Sequence, residues 1–391
     1  MLNSFFKAYS SNTAAGCANQ HYFFSDGKPI CSRAYFKIAV GGEYNYSLLF
    51  SGVLDSSYRR ISFHDEECAG WTIHSARVGR LSAFPSAILP GEHPSPEWLG
   101  EHTMGEHPSP EWLGEHTTGE HPSPEWLGEL TFGGERSHLA LPELFATDPV
   151  KLSFSADEYL CLELNYSGEK IPCHPESAIP IYTKTENGWE YSKNMPLPCM
   201  IGCDRPIKER ISYLGDSITQ GADMPINCYG HWMAKLSGKL PSHYSHWNLG
   251  IGLGKCSDIT CQGVWYQKGA TADTVFICYG VNDINADKSA DVICSELFEI
   301  TSSLKALGKR VIIQTVPPFD YPEKRRNQWE RVNLYIKNEL SKIADATFDP
   351  CAILSKSENE PHLARFGGHP SEEGCILWAD ALFKAVGHLF P

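Results

Sequence analysis

Hydrophobic and polar positions follow two different rhythms along the chain, and the change falls near residue 194. Before it, the chain reads as short strand-like runs at 35–40, 44–50, 70–78, 151–154, 159–166 and 179–183. Gly, Pro, Asp and Ser separate these runs, and no long helical period appears. Period-two alternation buries one face of a strand, and many short strands with polar turns predict an antiparallel sandwich of jelly-roll type. Residues 194–209, NMPLPCMIGCDRPIKE, are rich in Pro and Gly and read as a linker. Beyond them strand-like and helix-like stretches take turns. Strands are predicted at 210–214, 246–248, 274–279, 310–316 and 346–348, and helices at 229–240, 290–307, 325–344 and 371–389. Such alternation predicts a parallel sheet with helices on both faces, whose functional loops lie at the carboxyl ends of the strands. The expectation is an α/β protein: an all-β sandwich over 31–193, a linker over 194–209, and a three-layer α/β/α domain over 210–391. Residues 1–30 stay unassigned.

A tandem repeat interrupts the first half. Segments 91–104, 105–118 and 119–132 are near-copies of GEHPSPEWLGEHT plus one residue. A period of 14 with two prolines matches no common solenoid. The copies read either as a duplicated loop insertion between strands or as a platform of Trp98, Trp112 and Trp126 for a sugar or partner. His93, His107 and His121 each stand alone beside a proline, which is a poor basis for a metal site.

Composition narrows the function classes. The 391 residues carry 47 acidic and 33 basic side chains, a formal charge of −14, which repels nucleic acid but not a neutral acylated sugar. No apolar run approaches the roughly 20 residues of a membrane-spanning helix. The first 20 residues lack an apolar secretory core, and the 14 cysteines are scattered, so reduced thiols in a cytoplasmic protein are expected. Cys199 and Cys203 are neighbours, but no second ligand pair gives a zinc spacing, so no metal is expected; an organic cofactor is not expected either. Self-association is left open.

Three loops in the second half hold polar residues suited to chemistry. Gly215-Asp216-Ser217-Ile218-Thr219-Gln220-Gly221 follows the first strand and places a serine at a helix start, where free N–H groups can hold an oxyanion. Taken alone, it also reads as an N-cap. Tyr279-Gly280-Val281-Asn282-Asp283 ends the third strand, and the Asn282 amide is a suitable oxyanion donor. Gly367-Gly368-His369-Pro370-Ser371 precedes the last helix and offers a general base.

In this order the loops resemble the SGNH, or GDSL-like, serine hydrolase superfamily over about 210–391. The first loop matches as GDSITQG, the second as Gly280, Asn282 and Asp283, and the third in its His-Pro portion. A further loop, Asn248-Leu249-Gly250-Ile251-Gly252-Leu253-Gly254, is similar to the family's N-x-G-x-x-G, with Leu253 in place of its last glycine. The resemblance implies Ser217 as nucleophile and His369 as base. It implies an oxyanion hole from the N–H of Ser217, an N–H of Gly252 or Leu253, and the Asn282 side chain. The family usually has Asp three residues before the histidine, and here that residue is Phe366. Another carboxylate such as Asp349, a backbone carbonyl, or a Ser–His dyad alone would then serve. The layout is similar to two-domain sugar deacetylases of carbohydrate esterase family 2, which implies hydrolysis of small acyl esters on carbohydrate. A lipase or thioesterase for longer chains, or a sugar-binding protein with a decayed site, are the alternatives. Aromatic residues near the motifs, Trp232, Trp247, Trp265 and Tyr266, are mostly expected in the core.

Overall fold

The computed structural model describes residues 2–17, 19–56, 64–67, 70–84, 122–260 and 263–391. The N-terminal half is a sandwich of two antiparallel sheets. In one, the strands run Ser10–Ser11, Met200–Cys203, Gly42–Ser51 and Leu144–Ala146, with Val150–Phe154 also paired to Gly42–Ser51. In the other, the order is Gly188–Tyr191, Ile181–Thr185, Ile30–Lys37, Tyr159–Ser167, Thr72–Leu81 and Glu125–Leu130. Alternation builds the core between them: Ala34, Phe36, Leu160, Leu162 and Leu164 from one sheet meet Tyr46, Leu48, Phe50 and Ile201 from the other.

Three details differ from the sequence reading. The segment 194–209 is not merely a connector, because Met200–Cys203 is a buried strand paired to Gly42–Ser51. Its run is too short to show a period. The unassigned start of the chain carries the helix Leu2–Ala8, the strand Ser10–Ser11 against Met200–Cys203, and the strand His21–Phe24 against Lys170–Cys173. The last repeat copy is not loop alone: Glu125–Leu130 is the edge strand on Thr72–Leu81. Its Leu130 and Phe132 are buried, at positions where the first two copies carry His102 and Met104, and His116 and Thr118. Burying a histidine without partners is costly, so the core selects the third copy. Trp126 lies under the Arg77 guanidinium, 3.6 Å from ring centre to Arg77 Cζ, so this ring is used within the sheet. Trp98, Trp112, His93, His107 and His121 lie outside the described residues.

In the C-terminal half five parallel strands lie in the order Tyr244–Gly250, Glu209–Gly215, Thr274–Cys278, Arg310–Gln314 and Ala346–Phe348. The helix Trp232–Ser237 packs on the closing helix Glu372–Val386, with Trp232 stacked on Trp378 at 5.1 Å. The helices Ala290–Ala306 and Glu323–Asn338 form a second pair. Tyr229 has φ +51 and Gly230 follows, so the helix predicted from 229 starts later, at Trp232. Trp232, Trp247, Trp265 and Tyr266 are all buried, as packing residues rather than sugar platforms. The twelve described cysteines form no disulfide with one another. No helix among the described residues is long and apolar enough to cross a membrane.

Strand order reverses at Glu209–Gly215, which has the second strand on one side and the third on the other. A crevice opens at the carboxyl ends where such a sheet changes direction. The loops after Gly215, Gly250 and Cys278 therefore emerge side by side.

Candidate active site

The strand Glu209–Gly215 ends in a single tight turn of helix, Ser217–Gln220. Asp216 caps it, accepting the Ile218 N–H on Oδ1 at 3.0 Å, and Gly221 closes it at φ +94 with its N–H on the Ser217 carbonyl. The turn is packed against both neighbouring loops. A Cβ on Gly250 would lie 2.1 Å from the Gln220 nitrogen, so only glycine fits there. Asn248 Nδ2 donates to the Thr219 carbonyl at 3.1 Å, while its Oδ1 accepts the Gly250 N–H at 2.9 Å. The strand ends are thus stitched to the back of the serine turn.

His369 reaches this turn from the loop before the closing helix. Ser217 Oγ and His369 Nε2 are 2.7 Å apart. Gly367 takes φ +92, and Gly368 lies so close to the Phe319 ring that a Cβ would come within 2.9 Å of it. Phe319 meets the imidazole edge-on, with ring centres 5.6 Å apart. Ser371 then caps the helix by accepting the Gly374 N–H.

The second ring nitrogen finds a carboxylate that the sequence reading missed. His369 Nδ1 lies 2.8 Å from Oδ2 of Asp223, six residues past the serine on the same loop. Asp223 sits at φ +63, just beyond the left-handed Gly221, and this reversal turns its side chain back toward the histidine. Asp349, the carboxylate considered from sequence, is elsewhere: it accepts from Thr315 Oγ1 and the Cys351 N–H and pairs with Lys337. Phe366 packs against the closing helix, where Gly374 leaves room for its ring. The only hint of Asp223 in the sequence was its nearness to the serine, and the family pattern directs attention to the histidine side instead.

The charges around the imidazole are consistent with a base. Burial by itself would lower the His369 pKa, but the Asp223 hydrogen bond and charge, with Asp216 and Glu176 behind, raise it above the ordinary histidine value. Asp216 is buried and its carboxyl is pushed up to about 7, chiefly by desolvation, against the Ile218 N–H and the His369 charge.

The residues expected to hold an oxyanion lie on neighbouring loops. Leu253 adopts φ +55, the conformation that favours glycine at this turn, and Gly254 donates its N–H to the Ile251 carbonyl at 3.0 Å. The N–H groups of Ser217, Gly252 and Leu253 donate to no described backbone carbonyl. Asn282 Nδ2 donates one hydrogen to the Gly254 carbonyl at 3.0 Å, which leaves the other for a ligand. Asp283 is buried behind it, accepting the Cys256 N–H at 3.0 Å and pairing with Lys288 at 2.8 Å. Cys256, Asp283 and Glu296 have donor atoms within 4.8 Å of one another. Lys288 contacts both carboxylates, so a cation already lies among these donors.

Serine, imidazole and carboxylate in a hydrogen-bonded line are suited to acyl transfer. Residues 213–375 match the GDSL-like Lipase/Acylhydrolase family. They form a GDSL-like hydrolase domain. Similar solved structures include a G-D-S-L family lipolytic protein from Desulfitobacterium hafniense, at 17% identity and TM-score 0.37, covering 45% of this chain and 98% of that one. Another is Axe2, an acetylxylan esterase from Geobacillus stearothermophilus, at 20% identity and TM-score 0.37, covering 46% and 95%. A third is a G-D-S-L family lipolytic protein from Veillonella parvula, at 19% identity and TM-score 0.38, covering 46% and 98%. No curated protein matches the chain.

Proposed function

We propose that this hydrolase is a serine esterase that removes small acyl groups, foremost acetyl, from carbohydrate. The observation that carries the catalytic part is the Ser217–His369–Asp223 line, with contacts of 2.7 and 2.8 Å. Ser217 Oγ attacks the ester carbon while His369 Nε2 takes its proton. The carbonyl oxygen becomes an oxyanion held by the Ser217 N–H, an N–H of the Gly252–Leu253 turn, and Asn282 Nδ2. The intermediate collapses, His369 returns the proton to the departing alcohol, and an acyl-serine remains. Water then attacks the acyl carbon by the same route, giving the carboxylic acid and free serine. Asp223 orients the imidazole and stabilises its charged form in both steps.

The acyl and sugar preference rests on the layout: a β-sandwich joined to a GDSL-like domain, as in the two-domain deacetylases this sequence resembles. The acidic surface suits an uncharged substrate better than a polyanion. A cytoplasmic location is part of the proposal, on the scattered placing of the cysteines along the sequence.

The test is hydrolysis of p-nitrophenyl acetate, butyrate and octanoate by wild type and Ser217→Ala. Acetate turnover that disappears in the variant and falls steeply with chain length supports the proposal. Preference for octanoate would move the assignment to a longer-chain lipase or thioesterase. Absence of turnover on every ester would leave a sugar-binding protein.

A further inference from the structure

The motifs account for the side of the serine turn that faces His369. The last residue of the turn meets the sandwich. Gln220, the last residue of the turn, accepts from Gln20 Nε2 at 2.7 Å and donates through its own Nε2 to Glu176 Oε2 at 3.0 Å. Gln20 leads into the strand His21–Phe24, and Glu176 follows the strand Lys170–Cys173, its antiparallel partner. Both ends of the bridge therefore belong to one two-stranded ribbon of the N-terminal half. The neighbouring segment lies close to the same turn. A Cβ on Gly16 would lie 3.3 Å from the Gln220 carbonyl, and the Ala14 carbonyl lies 3.2 Å from His231 Nε2.

Glu176 also belongs to the charge environment of the site. The acidic groups acting on His369 are Asp223, Asp216 and Glu176. Burial pushes the ammonium of Lys193, from the same half as Glu176, down to about 8 against the attraction of Glu176 and Asp223. A sandwich that served only to hold polysaccharide would have no need to reach the nucleophile turn with a paired carboxylate.

We infer that the N-terminal sandwich completes the catalytic centre: Glu176, fixed by Gln220 at the end of the serine turn, is a positioning residue that acts on His369 by charge and on Ser217 through the turn. The inference rests on His369 being the base of the proposed esterase. In this arrangement Glu176 favours the imidazolium that forms when Ser217 gives up its proton, and the Gln20–Gln220–Glu176 bridge keeps the turn in register with the imidazole.

The experiment compares wild type, Glu176→Gln and Glu176→Ala by kcat/KM for p-nitrophenyl acetate between pH 5.5 and 7.5, with thermal melts of each. Glutamine keeps an acceptor for Gln220 and removes the charge, whereas alanine removes both. Without the charge His369 gives up its proton at lower pH, so the ratio of variant to wild-type kcat/KM rises by about twofold or more from pH 7.5 to 5.5 in both variants. Alanine also lowers kcat across the range with little change in KM. A flat ratio for Glu176→Gln overturns the inference, whatever alanine does. Ester turnover that survives in Ser217→Ala would instead refute the esterase assignment, so the two failures are told apart.

Discussion

Replacing Asp223 by asparagine tests the least expected part of the site. The change keeps the shape of the side chain and removes its charge. In the proposed attack His369 becomes cationic, and Asp223 Oδ2 lies 2.8 Å from its Nδ1. Unit charges about 4 Å apart attract by about 1 kcal/mol in water and about 4 kcal/mol at an effective dielectric of 20. The Asp223 side chain is 39% exposed and that of His369 18%, so the pair lies between these limits. A loss of about 2–3 kcal/mol follows, a fall of roughly 30- to 150-fold in kcat/KM. That is well short of the roughly 10⁴-fold loss seen when a buried triad aspartate is neutralised, because solvent already screens this one. The pH profile gives an independent readout. His369 must be neutral to accept the serine proton, and Asp223 raises its pKa, so wild-type kcat/KM declines as pH falls through a value above the ordinary histidine range. In Asp223→Asn the same decline moves to lower pH. The assay is p-nitrophenyl acetate hydrolysis from pH 5 to 9, with circular dichroism to confirm folding. A variant within twofold of wild type at every pH would refute Asp223 as the partner of His369.

Other consequences follow from the same geometry. Asn282→Ala removes the proposed oxyanion donor and should lower kcat by roughly 10²–10³-fold on the acetate ester. Gly250→Ala forces a Cβ to within 2.1 Å of the Gln220 nitrogen, so the serine turn must shift; the melting curve should show a loss of about 1–3 kcal/mol, accompanied by a fall in kcat. Leu130→His gives the third repeat the residue of the other two, and burying it should cost about 3–5 kcal/mol in a urea titration. Asp283→Ala leaves the Cys256 N–H without its acceptor and Lys288 with one carboxylate fewer, and should destabilise by about 2–4 kcal/mol while slackening the Leu253 turn.

The proposed serine, histidine and asparagine of the site stand where local sequence imposes their surroundings. A glycine must leave the strand before Ser217, since a Cβ on Gly215 would fall within 2.0 Å of Thr219 Oγ1. The strand rhythm places Asn282 just beyond an apolar run, and His369 sits between two glycines and a helix-opening Pro-Ser pair. Period two and period 3.6 likewise separated the sandwich from the α/β half, because burial of one face writes itself into neighbouring residues. Met200–Cys203 escaped for the converse reason: four buried residues on a strand covered from both sides carry no alternation.

Asp223 and Glu176 were decided by tertiary structure alone. A carboxylate partners an imidazole through distance and direction, and neither is encoded in the residues beside it. Asp223 reaches His369 because Gly221 reverses the chain and the closing helix carries the histidine across 146 residues of sequence. Glu176 reaches the serine turn only because a ribbon of the sandwich packs on it. The sequence determined the serine turn, the elements that carry it and the chemistry of each loop, all short-range matters of sterics and burial. The partner of the histidine, the copy of the repeat that joins the sheet, and the share of the sandwich in the site depend on contacts between distant segments, which exist only once the chain has folded.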